Sequence, residues 1–232
     1  MSDGVKPIVI LRAGSTFPAL KNDCGDFDNW IAQGLADPAV ESWDVVNAIR
    51  LPARDEIAGA VITGSHAMVT DREAWSESLA EWIRQMHQNN LPLLGICYGH
   101  QLIAHALGGE VDYRQQGREI GTHKVIRCVD SAKDPLMSQL PTEFDAHLVH
   151  SQSVIRLPET AVKLASSAEE PHQSYRVGET TWGVQFHPEF NERVMHYYIE
   201  QIGAANCSVR PTIDAASLLA RFARIAREKI SS

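Results

Sequence analysis

Residues 91–109, LPLLGICYGHQLIAHALGG, decide how the rest of the chain is read. Leu91 to Ile96 is a short, almost wholly apolar run, the pattern of a strand buried on both faces of a parallel sheet. A helical stretch follows at once, and Gly108-Gly109 stops it. The junction is Gly-x-Cys-x-Gly, with Gly95 and Gly99 on either side of Cys97. That is the form of a nucleophile elbow, the strand–turn–helix device known with Ser in the central position. Small residues two before and two after allow the strained turn and the close approach of neighbours. The sulfur would stand at a helix N-terminus, whose dipole and free N–H groups favour negative charge. The N–H of Tyr98 would face an oxyanion. A buried structural cysteine at a tight strand–helix junction would show the same local pattern.

Outward from this junction the chain alternates. Strands are expected at Pro7–Leu11, Trp43–Ile49 and Ile57–Thr63, besides Leu91–Ile96. Helices are expected near Asp28–Ala36 and over Asp71–Asn89, where Trp75, Leu79, Trp82, Ile83 and Met86 recur at helical spacing. This alternation predicts an α/β fold, a doubly wound, mostly parallel open sheet flanked by helices. From Glu110 to Phe186 the pattern changes to strand candidates at 120–129, 146–150, 162–165, 173–177 and 181–186, with no strong helix among them. An antiparallel or mixed extension of the sheet is expected there. Two helical stretches, Glu189–Ile202 and Ile213–Ile230, close the chain; Pro211-Thr212 sets up the second. No repeat and no Gly/Pro/Ser-rich linker divides it. A single domain over 1–232 is expected, with a core at about 7–198 and a C-terminal helix at about 212–230.

Composition narrows the function. With 44% hydrophobic and 22% charged residues the chain can bury a core, which excludes general disorder. A formal charge of −8 argues against an electrostatic nucleic-acid binder. No apolar stretch is long enough for a membrane span, and the N-terminus lacks the basic and apolar regions of a signal peptide. Cys24, Cys97, Cys128 and Cys207 form no CxxC pair, so a reducing cytoplasm is the expectation. Neither a Walker A loop nor GxGxxG occurs, so no cofactor is implied. His100 with His105, and His147 with His150, invite a metal, but no carboxylate or Cys cluster accompanies them at ligand spacing; no metal site is expected.

A thiolate nucleophile needs a proton shuttle, most often His. His187 has the distinctive setting, in Gly183-Val184-Gln185-Phe186-His187-Pro188-Glu189. It leaves the carboxyl end of a strand, the edge where open α/β sheets place their sites. Glu189 can reach back to orient the imidazole and stabilise its charged form. Pro188-Glu189 also reads as a plain helix start. Gly64, after the strand 57–63, lies on the same edge and is the candidate second oxyanion donor, or an ordinary turn residue.

Together these blocks resemble the class I, triad-type glutamine amidotransferases, most closely free-standing proteins similar to the amidotransferase half of GMP synthase. The match rests on ITGS at 62–65, LLGICYGHQ at 93–101 and GVQFHPE at 183–189, and runs from about Pro7 to Tyr198. The resemblance implies a flavodoxin-like sheet and a Cys97–His187–Glu189 triad that releases ammonia from glutamine through a γ-glutamyl thioester. It implies oxyanion contacts from the backbone of Gly64 and Tyr98, and substrate contacts from Gln101 and from the loop at Val149-His150-Ser151-Gln152. In that loop the family often has Ser-His-Gly-Asp, so Ser151 stands for Gly and Gln152 for Asp. A γ-glutamyl peptide would use the same thioester chemistry, and a regulatory or thiol-sensing member would keep the fold. No ATP pyrophosphatase segment with a phosphate loop follows, so ammonia is expected to pass to a separate synthase subunit or be released. The sequence is silent on oligomeric state.

Overall fold

The first strand shows how the core is partitioned. In β1 (Ile8–Arg12), Ile8 and Ile10 face one side of the sheet and Val9 and Leu11 the other, all fully buried. This two-sided burial is what an interior parallel strand requires. The computed structural model describes residues 5–48, 50–204 and 207–229.

β1 leads through α1 (Pro18–Cys24) and α2 (Phe27–Leu35) to β2 (Val40–Asp44), which pairs with β1 in parallel. Then come β3 (Gly59–Ile62), α3 (Ala74–Gln88), β4 (Leu93–Ile96) and α4 (Tyr98–Ala106). The middle of the chain forms β5 (Glu110–Tyr113), β6 (Glu119–Arg127), β7 (Glu143–His150), β8 (Gln152–Arg156), β9 (Ala161–Ser166), β10 (Ser174–Val177) and β11 (Thr181–Val184). α5 (Glu192–Ile202) and α6 (Ile213–Glu228) follow.

The main sheet has the order β2-β1-β3-β4-β11-β10-β9-β6-β7. From β2 to β11 every pairing is parallel, and from β11 to β7 every pairing is antiparallel. The expected α/β sheet and its antiparallel extension are both present. One face packs on α2 and α6 through Ile31, Leu35, Leu218 and Phe222; the other packs on α3 and α4 through Leu79, Ile83, Leu102 and Ile103. Each such side chain, fully buried, contributes about 1.5–3 kcal/mol. Among the described residues no helix is long and apolar enough to cross a membrane, and Cys24, Cys97 and Cys128 are free thiols.

Several expected boundaries move. The second strand lies at Val40–Asp44 rather than Trp43–Ile49; the apolar pair Val45-Val46 follows the strand in a bend, and Ile49 lies outside the described residues. β2 is an edge strand of mixed burial, so its apolar pattern is a weak guide. α1 was not foreseen; it is short and starts at Pro18, a residue suited to the first helical turn. β5 and β8 form a separate two-stranded sheet that hydropathy did not mark. Pro188-Glu189 is not a helix start: α5 begins after Asn191, whose side chain caps Val194 N–H at 3.0 Å. The last helix ends at Glu228, and Ile230 lies outside the described residues.

Candidate active site

Three neighbouring parallel strands deliver the predicted chemistry to one edge. Ile62 is in register with Gly95, and Ile96 with Val184, so Gly64, Cys97 and His187 emerge side by side from β3, β4 and β11. Cys97 adopts φ 50° and ψ −97°, the strained conformation of an elbow. Its N–H extends the ladder to Val184 O at 2.9 Å, and Tyr98 opens α4 directly after it.

The flanking glycines have steric reasons. A Cβ on Gly95 would overlap the carbonyl of Gly99, and one on Gly99 would come within 2.5 Å of Ile62 O. A Cβ on Gly64 would sit 3.1 Å from His187 Cε1, so the glycine keeps its backbone close to the imidazole. The Tyr98 phenol points away to Ser76 Oγ at 2.5 Å, and burial raises its pKa to about 12. This side chain anchors α4 to α3, while the Tyr98 N–H stays at the helix start, where no intrahelical acceptor exists.

His187 is clamped on both flanks. Its ring stacks on Phe190 at 4.1 Å between centroids, and its Nδ1 lies 2.8 Å from Glu189 Oε1. Its backbone N–H donates to His147 O at 2.8 Å. Burial would lower the imidazole pKa, but the charges of Glu189 and then Cys97 outweigh it and raise the value to about 10. Nε2 is buried without a hydrogen-bond partner among the described residues, and the Cys97 sulfur lies 3.7 Å from Val149 O. Catalytic hydrogen bonds are often unformed before substrate arrives.

The opposite wall carries Gln101 and the loop at 149–152. Gln101 Nε2 donates to Gln152 O at 2.8 Å and to Gln185 Oε1 at 3.0 Å, which ties α4 to that loop. The Gln152 side chain turns to Thr70 Oγ1 at 2.6 Å, and Ser151 Oγ accepts from Arg118 Nε at 2.9 Å. His150 points inward, with Nδ1 2.8 Å from Gln152 O and Nε2 2.8 Å from Glu119 Oε2. Arg114 Nη1 lies 3.3 Å from Glu119 and 3.0 Å from Glu170, and Ser153 also bonds Glu170. Burial would raise the Glu119 pKa, but His150, then Arg114 and His123, hold it below the usual carboxylate range.

Glu119, His150 and Glu170 place ligand-type atoms within 4.8 Å of one another, a convergence that sequence spacing did not show. Arg114 already supplies the cation between the two carboxylates. The suspected histidine pairs do not act together. His100 is buried beside Tyr175, where burial lowers its pKa to about 3, and His105 bonds Glu77 at 3.0 Å. His147 bonds Thr122 at 3.0 Å, away from His150.

The pocket lined by Cys97, His187, Gln101, Ser151 and Gln152 thus brings together the side chains expected from the sequence, with Ser65 next to Gly64. Sequence reasoning missed Phe190, His66, Tyr198 and Arg118. Phe190, one residue past Glu189, and His66, two residues past Gly64, carried no signal beyond their places; Tyr198 and Arg118 come from other segments.

The class I glutamine amidotransferase family model matches residues 22–203. The chain belongs to that family. It is 34% identical over 151 residues to a glutamine-hydrolysing GMP synthase of Thermosipho africanus, a match covering 62% of this chain and 28% of that protein. The chain therefore spans under a third of the GMP synthase it matches. It is 28% identical over 189 residues to gamma-glutamyl peptidase 4 of Arabidopsis thaliana, covering 78% of this chain and 75% of that one. A glutamine amidotransferase structure from Methylobacillus flagellatus superposes with a TM-score of 0.72 at 22% identity, covering 98% of this chain and 95% of that one. That likeness supports the sheet architecture described above.

Proposed function

We propose that this class I amidotransferase hydrolyses the γ-amide of a glutamyl substrate through a covalent thioester on Cys97. The carrying observation is the arrangement around His187: Glu189 holds Nδ1 at 2.8 Å, Phe190 fixes the ring plane, and the imidazole feels the charge of Cys97. In the proposed sequence Cys97 Sγ, as thiolate, attacks the γ-carbonyl carbon. The N–H groups of Gly64 and Tyr98 take the oxyanion. The carbon–nitrogen bond then breaks, and His187 gives its proton to the leaving nitrogen. Water, deprotonated by His187, cleaves the thioester to release the glutamyl acid and regenerate Cys97. Glu189 acts through His187, by orienting it and stabilising its charge.

With glutamine as substrate the leaving group is ammonia, and we propose that it passes to an acceptor on another chain. A second reading, a γ-glutamyl peptide as substrate, uses the same thioester chemistry with an amine in place of ammonia as leaving group, and the similarity to gamma-glutamyl peptidase 4 over 78% of this chain supports it. No Asp or Glu lines the pocket among the described residues, and Gln152 turns toward Thr70, so no side-chain carboxylate there meets the α-ammonium that the two substrates share.

The test is intact-mass spectrometry after exposure to a diazo-ketone analogue of glutamine, with ammonia release from glutamine followed in parallel. Labelling confined to Cys97 with ammonia produced is the expected result. Labelling without ammonia favours the γ-glutamyl peptide. An unlabelled, inactive protein overturns the thioester and leaves a regulatory role.

A further inference from the structure

Arg118 stands at the pocket and takes no part in the chemistry described above. It is exposed, yet its Nε is fixed on Ser151 Oγ at 2.9 Å. Its terminal nitrogens have no hydrogen-bond partner, and no carboxylate lies within 4 Å of it, among the described residues. Its neighbour Arg114, four residues earlier, is by contrast buried between Glu119 and Glu170. Among the described residues Arg118 is the only Lys or Arg lining the pocket, and no Asp or Glu offsets it. His66, on the same pocket, adds no competing cation at neutral pH: burial lowers its pKa, and the charges of His187 and Arg118 lower it further. A planar donor fork, anchored at one nitrogen and open at the others, is suited to a carboxylate.

We infer that Arg118, tethered by Ser151, is the specificity residue of the site and receives a carboxylate of the substrate. The inference rests on the γ-glutamyl reading given above. A γ-glutamyl compound has two such groups, the α-carboxylate of its glutamyl part and, in a γ-glutamyl peptide, a carboxylate on the leaving amine. Ser151 supplies the tether through its hydroxyl, so a glycine at 151 would leave the guanidinium unanchored.

The experiment compares wild type and Arg118→Met on four compounds: L-glutamine, γ-glutamylglycine, γ-glutamylglycinamide, and the α-amide of L-glutamine, which has no carboxylate. Loss of a charge-assisted contact at a pocket rim should lower the relevant kcat/KM roughly tenfold. If Arg118 reads the α-carboxylate, the first three fall together relative to the α-amide. If it reads the leaving-group carboxylate, γ-glutamylglycine falls alone. The loss should sit in KM, with Arg118→Lys recovering part of it and Ser151→Gly reproducing part of it. Unchanged ratios among the four, or a fall in kcat common to all, overturn the assignment.

Binding separates this failure from failure of the chemistry. If wild type turns over none of the four, the thioester proposal fails, and calorimetry on Cys97→Ala with and without Arg118→Met still decides. Weaker binding of γ-glutamylglycine without Arg118 supports the assignment; equal or undetectable binding overturns it.

Discussion

The two walls of the pocket are built by different means. The wall of Gly64, Cys97 and His187 is the end of three parallel strands in register, and its shape is fixed by backbone: a ladder hydrogen bond to Cys97, a φ of 50°, and glycines with no room for a Cβ. The wall of His150, Ser151 and Gln152 is held by side chains from segments distant in sequence, through His150, Glu119, Arg114 and Glu170. A backbone-built wall holds reacting atoms rigidly, as the chemistry requires. A wall built by side chains can change what it recognises without disturbing the strand ends. If the first wall carries the proposed chemistry and the second the proposed recognition, substitutions should separate the two.

The largest effect belongs to the first wall. Cys97→Ala should reduce turnover by roughly 10⁴-fold or more while the melting curve stays close to wild type. Retained turnover would remove the elbow from the mechanism. His187→Ala comes next, with a loss of at least ~100-fold in kcat, the scale of general acid–base catalysis. Steady-state rates with a γ-glutamyl substrate check both.

On the second wall the expected effect is on stability. Glu119→Ala leaves Arg114 and His150 buried without their shared partner, which should cost about 3–5 kcal/mol in denaturant unfolding. Activity of the remaining folded protein should suffer in KM. If Glu119→Ala instead lowered kcat as His187→Ala does, the two walls would not be independent.

The same division explains what could be read from the chain before its fold was known. Gly95, Cys97 and Gly99 occupy one turn, and His187 and Glu189 are two residues apart, so local pattern carried both. The parallel strands were legible because burial on two faces leaves continuous apolar runs. The Glu119–Arg114–Glu170–His150 cluster was not, because its members come together only when β6 and β7 pair and Glu170 folds back against Arg114. Arg118 was hidden for a related reason: its meaning depends on Ser151, 33 residues away. β2 misled because an edge strand need not be apolar, and the bend after it was.

A finer comparison lies inside the first wall, between His187, the proposed proton-transferring group, and Glu189, which holds it. The raised His187 pKa makes a stability prediction. In the folded state the imidazole titrates at about 10, against an ordinary value of 6.5. A raised value means that folding binds the proton more tightly, so the stabilisation is fully present below about 6.5 and is lost as pH rises through about 10. Burial opposes this; the charge of Glu189 is the first of the influences that overcome it, and that of Cys97 the second. Glu189→Gln removes the first influence, keeps the shape, and should lower the His187 pKa. The stability advantage of wild type over Glu189→Gln should therefore shrink as pH rises from about 6.5 through about 10 in urea unfolding. Taking the difference between the two proteins cancels groups titrating in that range that are not coupled to His187. A flat difference would mean that Glu189 does not set the charge on His187. The variant should also keep more activity than His187→Ala, because the proton-transferring imidazole remains and only its orientation and charge are altered.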